Sequence, residues 1–126
     1  MNDYKNKTII VTGSTGGIGE TTAIEFAKKG SNVVVTGRRE ENGISVVNKI
    51  KALGGEACYF SLDVSNEEQV SDSVAFAVEK YGRLDFAFNN AGVGGKLSPL
   101  TELETEDWDH VLDINLKGVW YCLKWV

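Results

Sequence analysis

The chain has 126 residues, of which 42% are hydrophobic and 25% charged, and its formal net charge is −5. That composition suits one small folded domain and excludes disordered and collagen-like chains. The acidic balance argues against general nucleic-acid binding, and no apolar run reaches the length of a membrane span.

In chain order, the polar segment Met1–Lys7 lacks the apolar stretch of a secretory signal and leads straight into Thr8–Val11, a β-branched run that reads as a strand. A helix is expected from about Gly17 to Lys29, with Gly30 at the C′ position. Val33–Val35 is the second strand. Residues from about Glu40 to Leu53 read as a helix with Ile44, Val47 and Ile50 inward, closed by Gly54 and Gly55. Ala57–Leu62 is the third strand. Ser65 and Glu68 then form an S-x-x-E capping box, and Val70, Val74, Ala77, Val78 and Tyr81 fall on one helical face up to Gly82. Leu84–Phe88 is the fourth strand, and a last helix is expected from Thr105 to the chain end. The strands are continuous apolar runs, as burial on both faces demands. Strands that alternate with helices imply right-handed crossovers and a parallel sheet, hence a single α/β domain over residues 1–126.

The most informative stretch joins the first strand to its helix: Thr12-Gly13-Ser14-Thr15-Gly16-Gly17-Ile18-Gly19. Gly13 permits a tight turn, Gly17 a close approach of backbone to a phosphate, and Gly19 close packing of helix on strand. The helix N-terminus adds free N–H groups and partial positive charge. The spacing, T-G-x-x-x-G-I-G, resembles that of the short-chain dehydrogenase/reductase family. Four further stretches match in order: Asp63-Val64 after strand three, Asn89-Asn90-Ala91-Gly92 after strand four, Leu103 to Trp108, and Asn115 within Asp113–Gly118. The resemblance spans nearly the whole chain. It implies a Rossmann-type doubly wound parallel sheet, present here with strand order 3-2-1-4, and hydride transfer between a nicotinamide dinucleotide and a small alcohol or carbonyl substrate.

The resemblance also implies residue roles. Gly13, Ser14, Thr15, Gly17, Ile18 and Gly19 would hold the diphosphate. The Asp63 carboxylate would accept from the adenine amino group with the Val64 backbone beside it, and Asn90, Ala91 and Gly92 would line the ribose. Asp63 is alternatively a helix-entry carboxylate before Ser65. Asn115 matches the family's active-site asparagine. It falls on an apolar stripe with Trp108, Val111, Leu112, Val119, Cys122 and Val126, so the residues alone equally suggest an amide that locks a helix bend or ties the helix to strand four. Trp108, Trp120 and Trp125 read as core or interface residues, and His110, the only histidine, as exposed.

Cofactor choice turns on the end of strand two. NAD-binding relatives of this architecture carry an acid about 20 residues past the loop. Here that place holds Gly37, followed by Arg38, whose guanidinium suits the 2′-phosphate of NADP. NADP is therefore expected over NAD, although Gly16 stands where many NADP-binding relatives carry a basic residue. The other reading of Arg38 and Arg39 is two solvated arginines paired with Glu40 or Glu41.

The family's catalysis also needs a serine and a Tyr-x-x-x-Lys pair. Tyr4, Tyr59 and Tyr81 carry Thr8, Asp63 and Asp85 four residues on, and Lys124 lies only three beyond Tyr121. The expectation is therefore the cofactor-binding half of an oxidoreductase, a complete relative being roughly twice as long. A catalytically inactive, truncated nucleotide-binding or subunit-interacting protein is the alternative. No metal-ligand spacing occurs. Cys58 and Cys122 read as reduced thiols of a cytoplasmic protein. With strand four at the sheet edge, Phe86 and Phe88 predict self-association.

Overall fold

A computed structural model describes residues 3–126. Four parallel strands, β1 (Thr8–Val11), β2 (Asn32–Gly37), β3 (Glu56–Ser61) and β4 (Phe86–Phe88), form one sheet in the order β3-β2-β1-β4. The register pairs Val11 with Val35 and Phe88, and Gly37 with Ser61. All four C-terminal ends therefore meet along one side, which is where a doubly wound sheet opens its crevice.

Helices cover both faces. Ile9 and Val11 of β1 and Val33 and Val35 of β2 point to one face, where α1 (Gly17–Lys28) and α2 (Glu40–Ala52) bury Ala23, Ala27, Val46, Val47 and Ile50 against them. Ile10 and Val34 point to the other face and meet Ala77 of α3 (Glu67–Tyr81). The two-sided burial expected from the apolar runs holds for β1 and the centre of β2, whereas β3 and β4, as the outer strands, are only half covered. α1 ends as expected, with Gly30 in the left-handed region at φ 97°.

Several details differ from the sequence reading. Ile44 is exposed and Val46 takes the inward place, because α2 leans its Gly43 side onto β3. The cap of α3 is Asn66, whose Oδ1 accepts from the Gln69 N–H at 3.0 Å. Ser65 instead donates its N–H and hydroxyl to Asp63 Oδ1, so the S-x-x-E pattern forms no capping box. On α3, Ser73 is buried where Val78 was expected; its hydroxyl donates to the Val70 carbonyl, and Val78 is exposed. β4 is shorter than Leu84–Phe88; just before it Asp85 donates its N–H to the Thr8 carbonyl and its Oδ2 accepts from the Thr8 N–H, so a side-chain oxygen takes the place of a strand carbonyl.

The final helix is two helices joined by a bend. α4 (Thr105–Leu112) and α5 (Gly118–Trp125) flank a π-helical turn, Asp113–Lys117. Cys122 is buried as the projected stripe has it, but its companions on the inward face are Ile114 and Gly118, which the stripe did not include. Trp108, Leu112, Trp120, Trp125 and Val126 are exposed, and so is Asn115; none of the three tryptophans is a core residue. Among the described residues no helix is long and apolar enough to cross a membrane.

Candidate functional site: a nucleotide cleft at the sheet switch point

A cleft of about 290 Å³ opens at the C-terminal ends of the strands, between the loops leaving β1 and β4. Those strands are neighbours in space but not in sequence, so their loops run to opposite faces of the sheet and part to leave a crevice. Of the expected residues, Gly13, Thr15, Arg38, Asp63, Val64, Ala91 and Gly92 line it. Gly16, Gly37 and Arg39, which the sequence reading weighed only for cofactor choice, line it too, and so do Leu62 and Ile114, which it had not placed there.

The loop after β1 is held from behind. Thr12 is buried, and its Oγ1 accepts from the Asn90 and Ala91 N–H groups at 2.9 and 3.0 Å. Asn90 Nδ2 donates back to the Thr12 and Gly13 carbonyls. Ser14 is also buried: its hydroxyl donates to the Val11 carbonyl at 2.7 Å and accepts from the Thr36 N–H at 2.9 Å, while its own N–H donates to the Thr36 carbonyl. The side chains of Ser14 and Asn90 thus build the wall rather than face the cleft, and Thr12, unnoticed as a site residue in the sequence, is the hub between the two loops. A Cβ on Gly19 would overlap the Gly13 carbonyl oxygen and crowd Asn90 Nδ2, so the helix lies directly on the loop. Gly13 and Gly17 have φ of 65° and 57°, a backbone region that side-chain-bearing residues rarely enter.

The start of α1 has no side-chain cap: Gly16 is its N-cap residue, and Gly17 and the exposed Ile18 form its first turn. Its first N–H groups are therefore left for an anion, with the helix dipole behind them. Glu20, the one acid in that first turn, is paired with Lys49 at 3.3 Å.

Two charged groups stand further along the cleft. Burial pushes the Asp63 carboxyl up, but the two Ser65 hydrogen bonds and the fields of Arg38 and His110 outweigh it and leave the group below the ordinary carboxylate range. Ser65 occupies Oδ1; among the described residues no bond reaches Oδ2, which is free to accept from a ligand. Among the described residues no ion pair joins Arg38 or Arg39 to Glu40 or Glu41, so the paired-arginine reading does not hold. At Gly37 a Cβ would meet the methyl end of the Thr15 side chain, so the bare glycine lets Thr15 rest on the end of β2, and no acid stands at this place.

Asn115 lies on the π-turn and outside the cleft lining. Its Oδ1 accepts from the Val93 N–H and its Nδ2 donates to the Val93 carbonyl, both at 2.8 Å. The amide pairs with the chain leaving β4 as a neighbouring strand would, so the bend and the tie to strand four are one device. His110 is exposed, and no metal-holding cluster of histidine, cysteine and acids occurs among the described residues.

The glycine cradle, uncapped helix start and the separate charges of Arg38 and Asp63 fit a dinucleotide, and comparison with known proteins agrees. The short chain dehydrogenase family model matches residues 7–126. A 3β-hydroxysteroid dehydrogenase of Mediterraneibacter gnavus is 43% identical over 124 residues, covering 98% of this chain and 45% of that protein. Cyclohexanol dehydrogenase of an Acinetobacter species is 39% identical, covering 98% of this chain and 49% of that protein. Among solved structures, a metagenomic short-chain oxidoreductase in complex with NADP superimposes with a TM-score of 0.90 at 32% identity, over 95% of this chain and 54% of its own. The chain spans about half the length of the curated relatives it matches. With the family model matched over nearly all its residues and the sheet order in place, the chain belongs to the short-chain dehydrogenase family.

Proposed function

We propose that this chain is the cofactor-binding half of an NADP-dependent oxidoreductase that interconverts an alcohol and a carbonyl compound. The observation that carries the reading is the free arginine at the cleft: Arg38 lines it without an ion-pair partner among the described residues, beside a Gly37 that places no acid there. The start of α2 is uncapped as well, so its N–H groups add to the positive field of Arg38 and Arg39 where a 2′-phosphate would lie.

When bound, a nicotinamide dinucleotide supplies or accepts the hydride. Gly13, Thr15, Gly17 and Ile18, with the α1 N-terminus, bind the diphosphate through backbone N–H groups, while Ser14 and Gly19 fix the loop's shape. Asp63 Oδ2 accepts from the adenine amino group with Val64 alongside, and Ala91 and Gly92, positioned by Asn90, flank the ribose. Asn115 orients the Val93 segment at the rim. The serine and the Tyr-x-x-x-Lys pair of the family's proton transfer are not among these 126 residues, so binding and orientation are this chain's own part. Cys58 and Cys122 are free thiols, which fits a cytoplasmic setting. The outer strand β4 favours self-association.

Titration of the chain with NADPH and NADH tests the reading. NADPH is expected to bind more tightly, and Arg38→Ala to weaken it roughly 10- to 100-fold, the scale of a charged hydrogen bond, with little change for NADH. Equal affinities in the unaltered chain would overturn the NADP assignment, and affinity for neither would overturn the site.

A further inference from the structure

We infer that Tyr59, on β3 and behind the cleft, is a positioning residue for cofactor selection: it sets the turn that presents Arg38. The inference rests on the NADP reading of that arginine.

The turn from β2 into α2 has little of its own to hold it. Arg39 is the N-cap residue of α2 and makes no side-chain cap, and Arg38 makes no ion pair among the described residues. What anchors the turn is the Gly37 carbonyl, the last of β2. It accepts from the Leu62 N–H at 2.9 Å and from the Tyr59 hydroxyl at 2.7 Å. The first is a main-chain bond continuing the sheet. The second is the only side-chain bond to that carbonyl among the described residues, and it reaches back across the sheet from two residues earlier on β3, where Tyr59 pairs with Val35.

The ring is held as firmly as the hydroxyl. It lies against α2 at Gly43, so close that a Cβ there would overlap ring atoms. On the cleft side, Thr15 of the phosphate loop rests on Gly37. Gly37 is therefore gripped between the loop that binds diphosphate and a tyrosine that spaces α2 from β3. Tyr59 thereby sets both the height of the carbonyl before Arg38 and the distance at which α2 begins. A guanidinium recognises phosphate through a fixed fork, so a small displacement of its backbone weakens it more than it weakens contacts to the ribose hydroxyls.

The test is a binding cycle on the full chain with NADPH and NADH, using Tyr59→Phe, Arg38→Ala and the double variant, with thermal melting as a control on folding. Tyr59→Phe keeps the ring on Gly43 and removes only the hydroxyl. It is expected to lower the NADPH-over-NADH preference roughly three- to tenfold, the scale of one hydrogen bond, and to have no further effect once Arg38 is alanine. A merely structural tyrosine would weaken both nucleotides alike in either background. An unaltered chain that prefers NADPH, with a Tyr59→Phe variant that keeps the same preference, overturns this inference and leaves the cofactor reading intact. An unaltered chain without NADPH preference overturns the cofactor reading first. Should Tyr59→Phe fail to fold, Gly43→Ala drives the ring from its seat while retaining the hydroxyl. The same fall in preference supports the inference, and an unchanged preference overturns it.

Discussion

Thr12 Oγ1 accepts two backbone N–H groups from a segment 78 and 79 residues away, and Asn90 returns two bonds to the same loop. The cleft therefore depends on side chains that never face it, and on the absence of side chains elsewhere. Gly19→Ala would force a methyl into the Gly13 carbonyl; a loss of about 1–3 kcal/mol of stability is expected in chemical denaturation, as for other overpacked sites, together with loss of nucleotide binding. An alanine variant with unchanged melting and binding would show that α1 can retreat from the loop. Asp85 gives a pH dependence of definite sign. The Arg83 guanidinium bonded to it, and then the Thr8 N–H, hold its carboxyl below the ordinary range. A depressed folded value contributes stability that is full above the unfolded value, about 3.9, and is lost as pH falls through the folded one. Denaturation from pH 6 down to pH 2.5 should therefore show a steeper acid loss for the unaltered chain than for Asp85→Asn, which cannot titrate.

At the level of elements, the uncapped starts of α1 and α2 contrast with the capped start of α3. The first two border the cleft, where the proposed dinucleotide would take up their free N–H groups; the third carries its own side-chain cap. Asn66→Ala should lower stability by about 1 kcal/mol, the usual worth of an N-cap, while Glu68→Ala should change it little. Denaturation midpoints of the two variants decide the matter, and equal losses would restore the S-x-x-E box. The π-turn between α4 and α5 has a comparable logic. It spends helical regularity to bring Asn115 onto the Val93 backbone and to lay Gly118 against Val64, a contact a Cβ would fill. Glu67 on α3 completes the attachment of α5 by accepting from Lys124 and from Trp125 Nε1.

For the whole molecule, the outer position of β4 matters most. Phe86 is covered by Tyr4 and Phe26, whose rings lie 5.4 and 5.9 Å from its own, whereas Phe88 is exposed and, among the described residues, no further strand lies beside β4. Sedimentation at micromolar concentration is expected to show species heavier than a monomer, and Phe88→Lys to shift them toward monomer, since a charge on an edge strand discourages pairing. A monomer for the unaltered chain would rule out this mode of association. A chain that stays associated with lysine at 88 would move attention to the exposed Leu116, Trp120 and Leu123.

The alternation of strands and helices and the glycine loop between β1 and α1 were legible in the sequence, because each rests on local signals: β-branched runs, a glycine-spaced turn between strand and helix, and glycines at helix ends; the strand order 3-2-1-4 followed from the family resemblance. Most of the expected cleft residues were legible for the same reason, since βα loops gather at one side of a parallel sheet. Tertiary structure alone decided the rest. The wall-building role of Ser14 and Asn90, the hub at Thr12 and the hydroxyl of Tyr59 on Gly37 are contacts across tens of residues, which no spacing encodes. Of the projected stripe of the last helix only Cys122 is fully buried: Trp108 and Leu112 are exposed before the π-turn, and the turn, seated on the Val93 segment and on Val64 through Gly118, adds Ile114 and Gly118 to the inward face. Periodicity reports the face of a regular helix; where packing breaks the regularity, only the packed chain shows which residues turn inward.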